Sequence, residues 1–236
     1  MSYRAWVTRD EGVDGALCRA LADCGVEVVC EPVVGRRVCS DVSAELGRLG
    51  HDDWLVLTSA FAIGCVDGDL ARVPRVAVVG EKSAEAAEAR GFRVELVSPG
   101  KGAGALFEAL REVAAGRCVL YPRSSEAPPA PPTPPEKEKS ALDCFGEFVS
   151  PVLYETYYRD FDIGVVDRVD CVTFASPSAV RGVGKKISIA GIGLLIASIG
   201  PTTSAEVLRL GGVVGVEAEV PGFVGLAKVV AGLGGG

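Results

Sequence analysis

The chain has 236 residues, 48% of them apolar, and a formal net charge of −7. Such a chain can core one large domain or two of ordinary size. The acidic balance, with no basic stripe, excludes broad nucleic-acid binding, because phosphate contacts need clustered Lys and Arg, whereas oriented backbone N–H groups and a few arginines can still hold a small polyanion.

Ala5 to Thr8 predicts a first strand, Val13 to Cys24 an amphipathic helix stopped by Gly25, and Val26 to Val34 a second strand. Trp54 to Thr58 is the next strand, followed by a short helix from Ala60. Val76 to Val79 runs through Gly80 into a helix over Ala84 to Arg90, then Val94 to Val97 forms a strand and Ala105 to Ala114 a helix. Alternation of this kind implies parallel sheets covered by helices on both faces. Cys118 to Tyr121 restarts the plan. After Arg123 comes APPAPPTPP at Ala127 to Pro135, whose prolines forbid a helix and read as a solvated loop insertion. A short helix is predicted over Glu136 to Phe145, an extended run over Phe148 to Tyr158, and strands over Val169 to Phe174 and Leu195 to Ile199. The ending GLGGG has almost no side chain to pack and reads as frayed.

The two halves repeat one another. VAVVGEKSAEAAEARG at Val76 to Gly91 returns as IASIGPTTSAEVLRLG at Ile196 to Gly211, and DWLVLTSAFAI at Asp53 to Ile63 returns as DCVTFASPSAV at Asp170 to Val180. Two similar α/β lobes follow, with small-polar turns at the ends of their strands, where open α/β sheets bind ligands. Four such turns are Thr58-Ser59-Ala60, Gly80-Glu81-Lys82-Ser83, Ser176-Pro177-Ser178 and Gly200-Pro201-Thr202-Thr203. Each is also an ordinary helix start, since Ser and Thr cap helices and proline suits the first position. Their recurrence in both halves points to an anionic ligand. Arg9 in VTRD and Arg123 in YPRS hold matching places after the first strand of each half and could pair with ligand carboxylates or merely with surface acids.

Other residues point less far. The eight cysteines include no C-x-x-C pair, which speaks against zinc and leaves buried thiols or structural disulfides open. Absence of Asn and Gln is a thermophile trait, to which GC-rich coding can also contribute. His51, the single histidine, sits in a polar loop. No Ser-His-Asp set, metal cluster or phosphate loop occurs. MSYRAWVTRDEG lacks the apolar core of a secretory signal, and the run Ile187 to Ile199 falls short of the ~20 residues of a spanning helix. A soluble, cytoplasmic protein without nucleic-acid or membrane partners is expected.

Taken together, VTRD, EPVV at Glu31, VLTSA at Val56, VAVVGEKSAEAAEARGF, LYPRS at Leu120, PVLYET at Pro151, TFASPSAV at Thr173 and IASIGPTTSAEVL resemble the uroporphyrinogen-III synthase family in order and over nearly the whole chain. The resemblance implies an α/β protein of two flavodoxin-like parallel-sheet lobes joined by a two-strand linker. One lobe would comprise 1–34 and 159–236, the other 38–150, with linker strands at 30–37 and 151–158. It further implies a monomer without metal or organic cofactor that dehydrates and cyclises the linear tetrapyrrole hydroxymethylbilane in the cleft between its lobes. Tyr154 matches the family tyrosine proposed to assist departure of the substrate hydroxyl. Substrate contacts are expected from Arg9, Thr58, Ser59, Gly80, Lys82, Ser83, Arg123, Ser124, Ser176, Ser178, Gly200, Thr202 and Thr203. Phe61 departs from the family motif, where a polar residue is common, and so does the proline insertion. A non-catalytic tetrapyrrole-binding protein and a sugar-phosphate enzyme on a similar scaffold remain as alternatives.

Overall fold

The computed structural model describes residues 3–66, 74–100, 102–129 and 143–234. In chain order the elements begin with β1 (Arg4–Val7), α1 (Ala16–Asp23), β2 (Glu27–Cys30), β3 (Val34–Val38), α2 (Ser43–Arg48), β4 (Trp54–Leu57) and α3 (Ala60–Cys65). There follow β5 (Arg75–Val78), α4 (Glu81–Glu88), β6 (Val94–Val97), α5 (Gly102–Val113), β7 (Cys118–Leu120), β8 (Arg123–Ser124), β9 (Glu147–Val149) and β10 (Val152–Tyr158). The last group is β11 (Cys171–Phe174), α6 (Pro177–Gly184), β12 (Leu195–Ser198), α7 (Pro201–Arg209), β13 (Val216–Glu217) and α8 (Phe223–Leu233).

The chain forms two compact units, Met1–Gly35 with Tyr157–Gly236, and Arg36–Thr156. The first holds a parallel sheet in the order β13-β12-β11-β1-β2. Counted along the chain within that unit, the order is 2-1-3-4-5, that of flavodoxin-like doubly wound sheets. The second unit has the parallel order β6-β5-β4-β7-β9. The repeated segments align β4 with β11 and β5 with β12, so the two sheets are one spatial arrangement entered at different strands.

Each central strand is buried on both faces, which explains its unbroken apolar sequence. In β1, Trp6 joins a core with Val172, Phe174, Val180 and Val207, while Ala5 and Val7 join another with Leu17, Leu21, Leu226 and Val230. In β4, Leu55 and Leu57 pack with Ile63, Val76 and Ala87, while Trp54 and Val56 pack with Leu106, Phe107 and Leu110.

Several boundaries differ from the sequence reading for physical reasons. The helix predicted from Val13 starts at Ala16, because the Glu11 carboxylate accepts the Leu17 and Cys18 N–H groups at 2.8 and 2.9 Å and Val13 stays exposed. It ends as read, with Gly25 at φ +78. The single strand predicted over Val26 to Val34 is two: β2 stops at Cys30, before Pro32, which cannot donate to a ladder, and β3 pairs elsewhere. The extended run at Phe148 to Tyr158 is likewise broken, into β9 and β10, at Ser150-Pro151. Residues 136–142 of the predicted helix over Glu136 to Phe145 lie outside the described residues, as does 130–135 of the proline segment; Asp143–Phe145 is a turn. The cysteines form no disulfide among the described residues, and burial pushes the Cys171 thiol up to about 12.

The strands β3, β10 and β8 make a third, small sheet in that order. Arg159 N–H donates to Val33 and Cys39 N–H to Leu153, so β3 and β10 run antiparallel, and the unit boundaries fall inside these two strands.

Phe107 is fully buried in the second unit and packs against Tyr121 and Phe148 with ring centroids 5.1 and 5.9 Å apart. Phe107→Ala should lower the unfolding free energy by about 3–5 kcal/mol. Urea denaturation reads this directly; a loss under about 1 kcal/mol would contradict the packing account.

Candidate active site

In a doubly wound sheet the two neighbouring strands whose crossovers leave in opposite directions open a crevice at their carboxyl ends. In the first unit these strands are β1 and β11, followed by Thr8-Arg9 and Ala175-Ser176. In the second they are β4 and β7, followed by Thr58-Ser59 and Tyr121-Pro122-Arg123.

The second unit assembles the most developed cluster. Ser59 has extended backbone, φ −144 and ψ 147, and its hydroxyl accepts the Ala62 N–H at 3.0 Å, capping α3. The same oxygen lies 3.0 Å from the Tyr154 hydroxyl. Tyr154 reaches it from β10, where a register irregularity between Val152 and Tyr154 interrupts pairing with β8. There Leu153 and Tyr154, adjacent in sequence, are both buried in one core, breaking ordinary strand alternation. Phe61 stacks obliquely on the Tyr154 ring with centroids 4.8 Å apart. The Arg36 guanidinium, exposed on β3, stands 5.6 Å from the Phe61 centroid. Thr58 is half-buried beside this group, and Ser124 is in register with Tyr154.

Arg123 does not pair with an acid among the described residues. Its guanidinium donates to the Ser124 and Ala127 carbonyls at 3.1 and 2.7 Å, lacing the turn that leaves β8, and its Nε is buried without a partner there. The Ser124 hydroxyl accepts the Glu126 N–H at 3.2 Å. Arg9, in the first unit, is bound to Glu11 at 2.9 Å and covers the Phe223 ring at 4.8 Å. Glu11, which also caps α1, therefore ties the VTRD turn to the first helix.

Ser176 caps α6 by accepting the Ala179 N–H at 3.3 Å, and its hydroxyl is 2.9 Å from that of Ser178. At the start of α7, Gly200 N–H donates to the Ser198 hydroxyl at 3.2 Å, Ser198 and Ser204 hydroxyls are 2.9 Å apart, and Ser204 donates to Glu217. Thr203 is buried and its N–H closes onto the Gly200 carbonyl, while Thr202 is exposed. At the matching start of α4, Ser83 N–H closes onto Gly80, and Lys82 is exposed. Among the described residues no group of three His, Cys, Asp or Glu is placed to hold a metal ion, and no helix is long and apolar enough to cross a membrane.

A family model for uroporphyrinogen-III synthase HemD matches residues 15–228. The chain belongs to the uroporphyrinogen-III synthase family. A uroporphyrinogen-III synthase of Synechococcus elongatus is 31% identical over 199 residues, 74% of this chain and 72% of that one. The fold is similar to the crystal structure of uroporphyrinogen-III synthetase from Helicobacter pylori, with a TM-score of 0.64 and 13% identity over 99% of this chain and 100% of that one. It is also similar to a mutant uroporphyrinogen III synthase from the extremely thermophilic bacterium Thermus thermophilus, with a TM-score of 0.54 and 14% identity over 97% of each chain. The two-lobed α/β fold and the family membership read from the motifs therefore hold.

Sequence reasoning missed Arg36 and the contact that gives Phe61 a place. Neither had a usable signal: Arg36 lies in the stretch read as linker, outside the repeat, and Phe61 is apolar at a position where polar residues were sought.

The two repeated glycines make a test of the turns. Gly80 has φ +80 and ψ 157, a region that side chains rarely adopt, whereas Gly200 has extended φ 161 and a Cβ there would meet Pro221 only at ordinary contact, 3.7 Å. Gly80→Ala should therefore cost about 1–3 kcal/mol, and Gly200→Ala should stay within about 0.5 kcal/mol. Equal losses in denaturant titrations would sink this distinction.

Proposed function

We propose that the chain acts on hydroxymethylbilane as a uroporphyrinogen-III synthase through Tyr154. The substrate loses its ring A hydroxyl as water, the resulting cation is attacked by the substituted carbon of ring D, and rearrangement precedes closure. Atoms balance as one bilane giving one macrocycle and one water. Breaking the C–O bond places negative charge on the departing oxygen, and a phenol hydrogen bond or proton there stabilises the transition state more than the ground state. The observation that carries this reading is the Tyr154 hydroxyl held at 3.0 Å by Ser59, at the switch point of a chain whose family performs this closure.

The substrate is a polycarboxylate, so cationic and N–H-rich turns suit it. Arg36 stands over the Phe61 ring that packs on Tyr154, at 5.6 Å from its centroid. In our reading it takes a substrate carboxylate. Thr58, Ser124, in register with Tyr154, and Arg123 are assigned to further substrate contacts. Gly80, Lys82 and Ser83, together with Arg9, Ser176, Ser178, Gly200, Thr202 and the Thr203 backbone in the first unit, are assigned to the remaining carboxylate arms. The enzyme is read as a monomer, because one chain already carries both sets of turns.

Tyr154→Phe keeps the ring and its contact with Phe61, so the variant should fold and bind uroporphyrinogen. Its turnover should fall ~100-fold or more, letting spontaneous type I closure compete. Wild-type turnover in the folded variant would remove Tyr154 from the mechanism. Arg36→Ala should act differently, raising KM about 5- to 10-fold with kcat nearly kept, as expected when a binding contact common to ground and transition states is lost. An unchanged KM would refute the role given to Arg36.

A further inference from the structure

Two of the three hydrogen-bonding positions of the Ser59 hydroxyl are taken by the protein itself. A serine hydroxyl has one proton to donate and two lone pairs to accept with. One lone pair takes the Ala62 N–H and the other side of the oxygen faces the Tyr154 hydroxyl, both at 3.0 Å. This leaves Ser59 poorly suited to hold substrate and well suited to act on the tyrosine.

The direction of the proton between the two hydroxyls decides what the tyrosine can do. If the phenol donated to Ser59, its proton would be tied up and withheld from a leaving group. If Ser59 donates to the phenol oxygen, the phenol proton is free to point at substrate. The Ala62 N–H favours the second arrangement, because an oxygen that accepts one hydrogen bond becomes a better donor in the next. In that second arrangement a chain runs from the Ala62 N–H through the Ser59 hydroxyl to the phenol oxygen, and the phenol proton is its free end. Phe61, two residues on, fixes the ring of the same tyrosine with centroids 4.8 Å apart. One turn at the end of β4 thus holds both the plane of the ring and the orientation of its hydroxyl.

We infer that Ser59 is a positioning residue for the reaction, which donates a hydrogen bond to Tyr154 and thereby aims the phenol proton at the departing hydroxyl. The inference rests on the catalytic reading of Tyr154.

Steady-state kinetics with hydroxymethylbilane on the full chain test it, using Ser59→Ala, Ser59→Thr, Ser59→Asp, Tyr154→Phe and the double variant Ser59→Ala/Tyr154→Phe. Threonine keeps both cap and donor. Aspartate keeps the cap but, ionised, can only accept. Ser59→Ala and Ser59→Asp should lower kcat roughly 10-fold or more while KM moves less than about twofold, in the range seen when the partner orienting a functional group is lost. Ser59→Thr should restore kcat to within about threefold, and the double variant should be no slower than Tyr154→Phe alone. Should the alanine variant fail to fold, the contrast between threonine and aspartate still decides the matter. Wild-type kcat in Ser59→Asp, or a Ser59→Ala loss that multiplies fully with that of Tyr154→Phe, would overturn the inference while leaving Tyr154 in place. Wild-type kcat in Tyr154→Phe would instead overturn the catalytic reading, and this inference with it.

Discussion

The Ser59 hydroxyl closes three parts of the second unit on a single atom. It follows the carboxyl end of β4, starts α3 by accepting the Ala62 N–H, and meets the Tyr154 hydroxyl from β10. Its position follows from the strand before it. Leu55 and Leu57 are committed to one core and Trp54 and Val56 to the other, so the chain can become polar only where the sheet ends. Thr58 and Ser59 are the first residues free of that commitment. A buried tyrosine needs a partner for its hydroxyl, and the cap residue of the adjoining helix supplies one.

The repeat places equivalent strands in equivalent sheet positions, yet the two units stabilise their turns by different means. In the first unit hydroxyls and acids are bound to one another: Thr8 donates to the Thr173 carbonyl and Thr173 to that of Trp6, Ser198 and Ser204 lead to Glu217, and Arg9 is held by Glu11. Glu206 joins α6 to α7, its carboxyl held below the usual range by hydrogen bonds from Arg209 and Arg181. In the second unit the corresponding end of the sheet carries a phenol, a cation on β3 and a buried guanidinium nitrogen without a partner among the described residues. The proposed function accordingly puts the reactive group in the second unit, while in the first Arg9, Ser198 and Ser204 are already bound to partners within the protein.

The features legible in the sequence were those written in local periodicity. Buried parallel strands read as short apolar runs, helices followed the small-polar turns, and the offsets of the repeat paired β4 with β11 and β5 with β12 from the residues alone. What stayed hidden depends on contacts distant in sequence. The split between β2 and β3 requires knowing that β3 pairs with β10, more than a hundred residues away. The β10 irregularity that buries Leu153 and Tyr154 together violates the alternation on which strand reading depends. α8 has apolar residues over most of its length and no polar cap, since Gly222 precedes it, so nothing at its start announced a helix. Phe61 illustrates the same limit at the site. Read alone it looked like the loss of a polar contact, whereas its ring packs on the tyrosine.

Hydroxymethylbilane closes unaided to the type I macrocycle, so formation of the type III isomer cannot be mistaken for background. An enzyme that orients the bilane and assists loss of its hydroxyl is distinguished by product identity more than by rate. Purified protein incubated with freshly made hydroxymethylbilane, followed by oxidation and chromatographic separation of the porphyrin isomers, measures it directly. Type III should be the dominant product, formed faster than in the spontaneous reaction. Type I alone, appearing at the rate seen without protein, would contradict the proposed function.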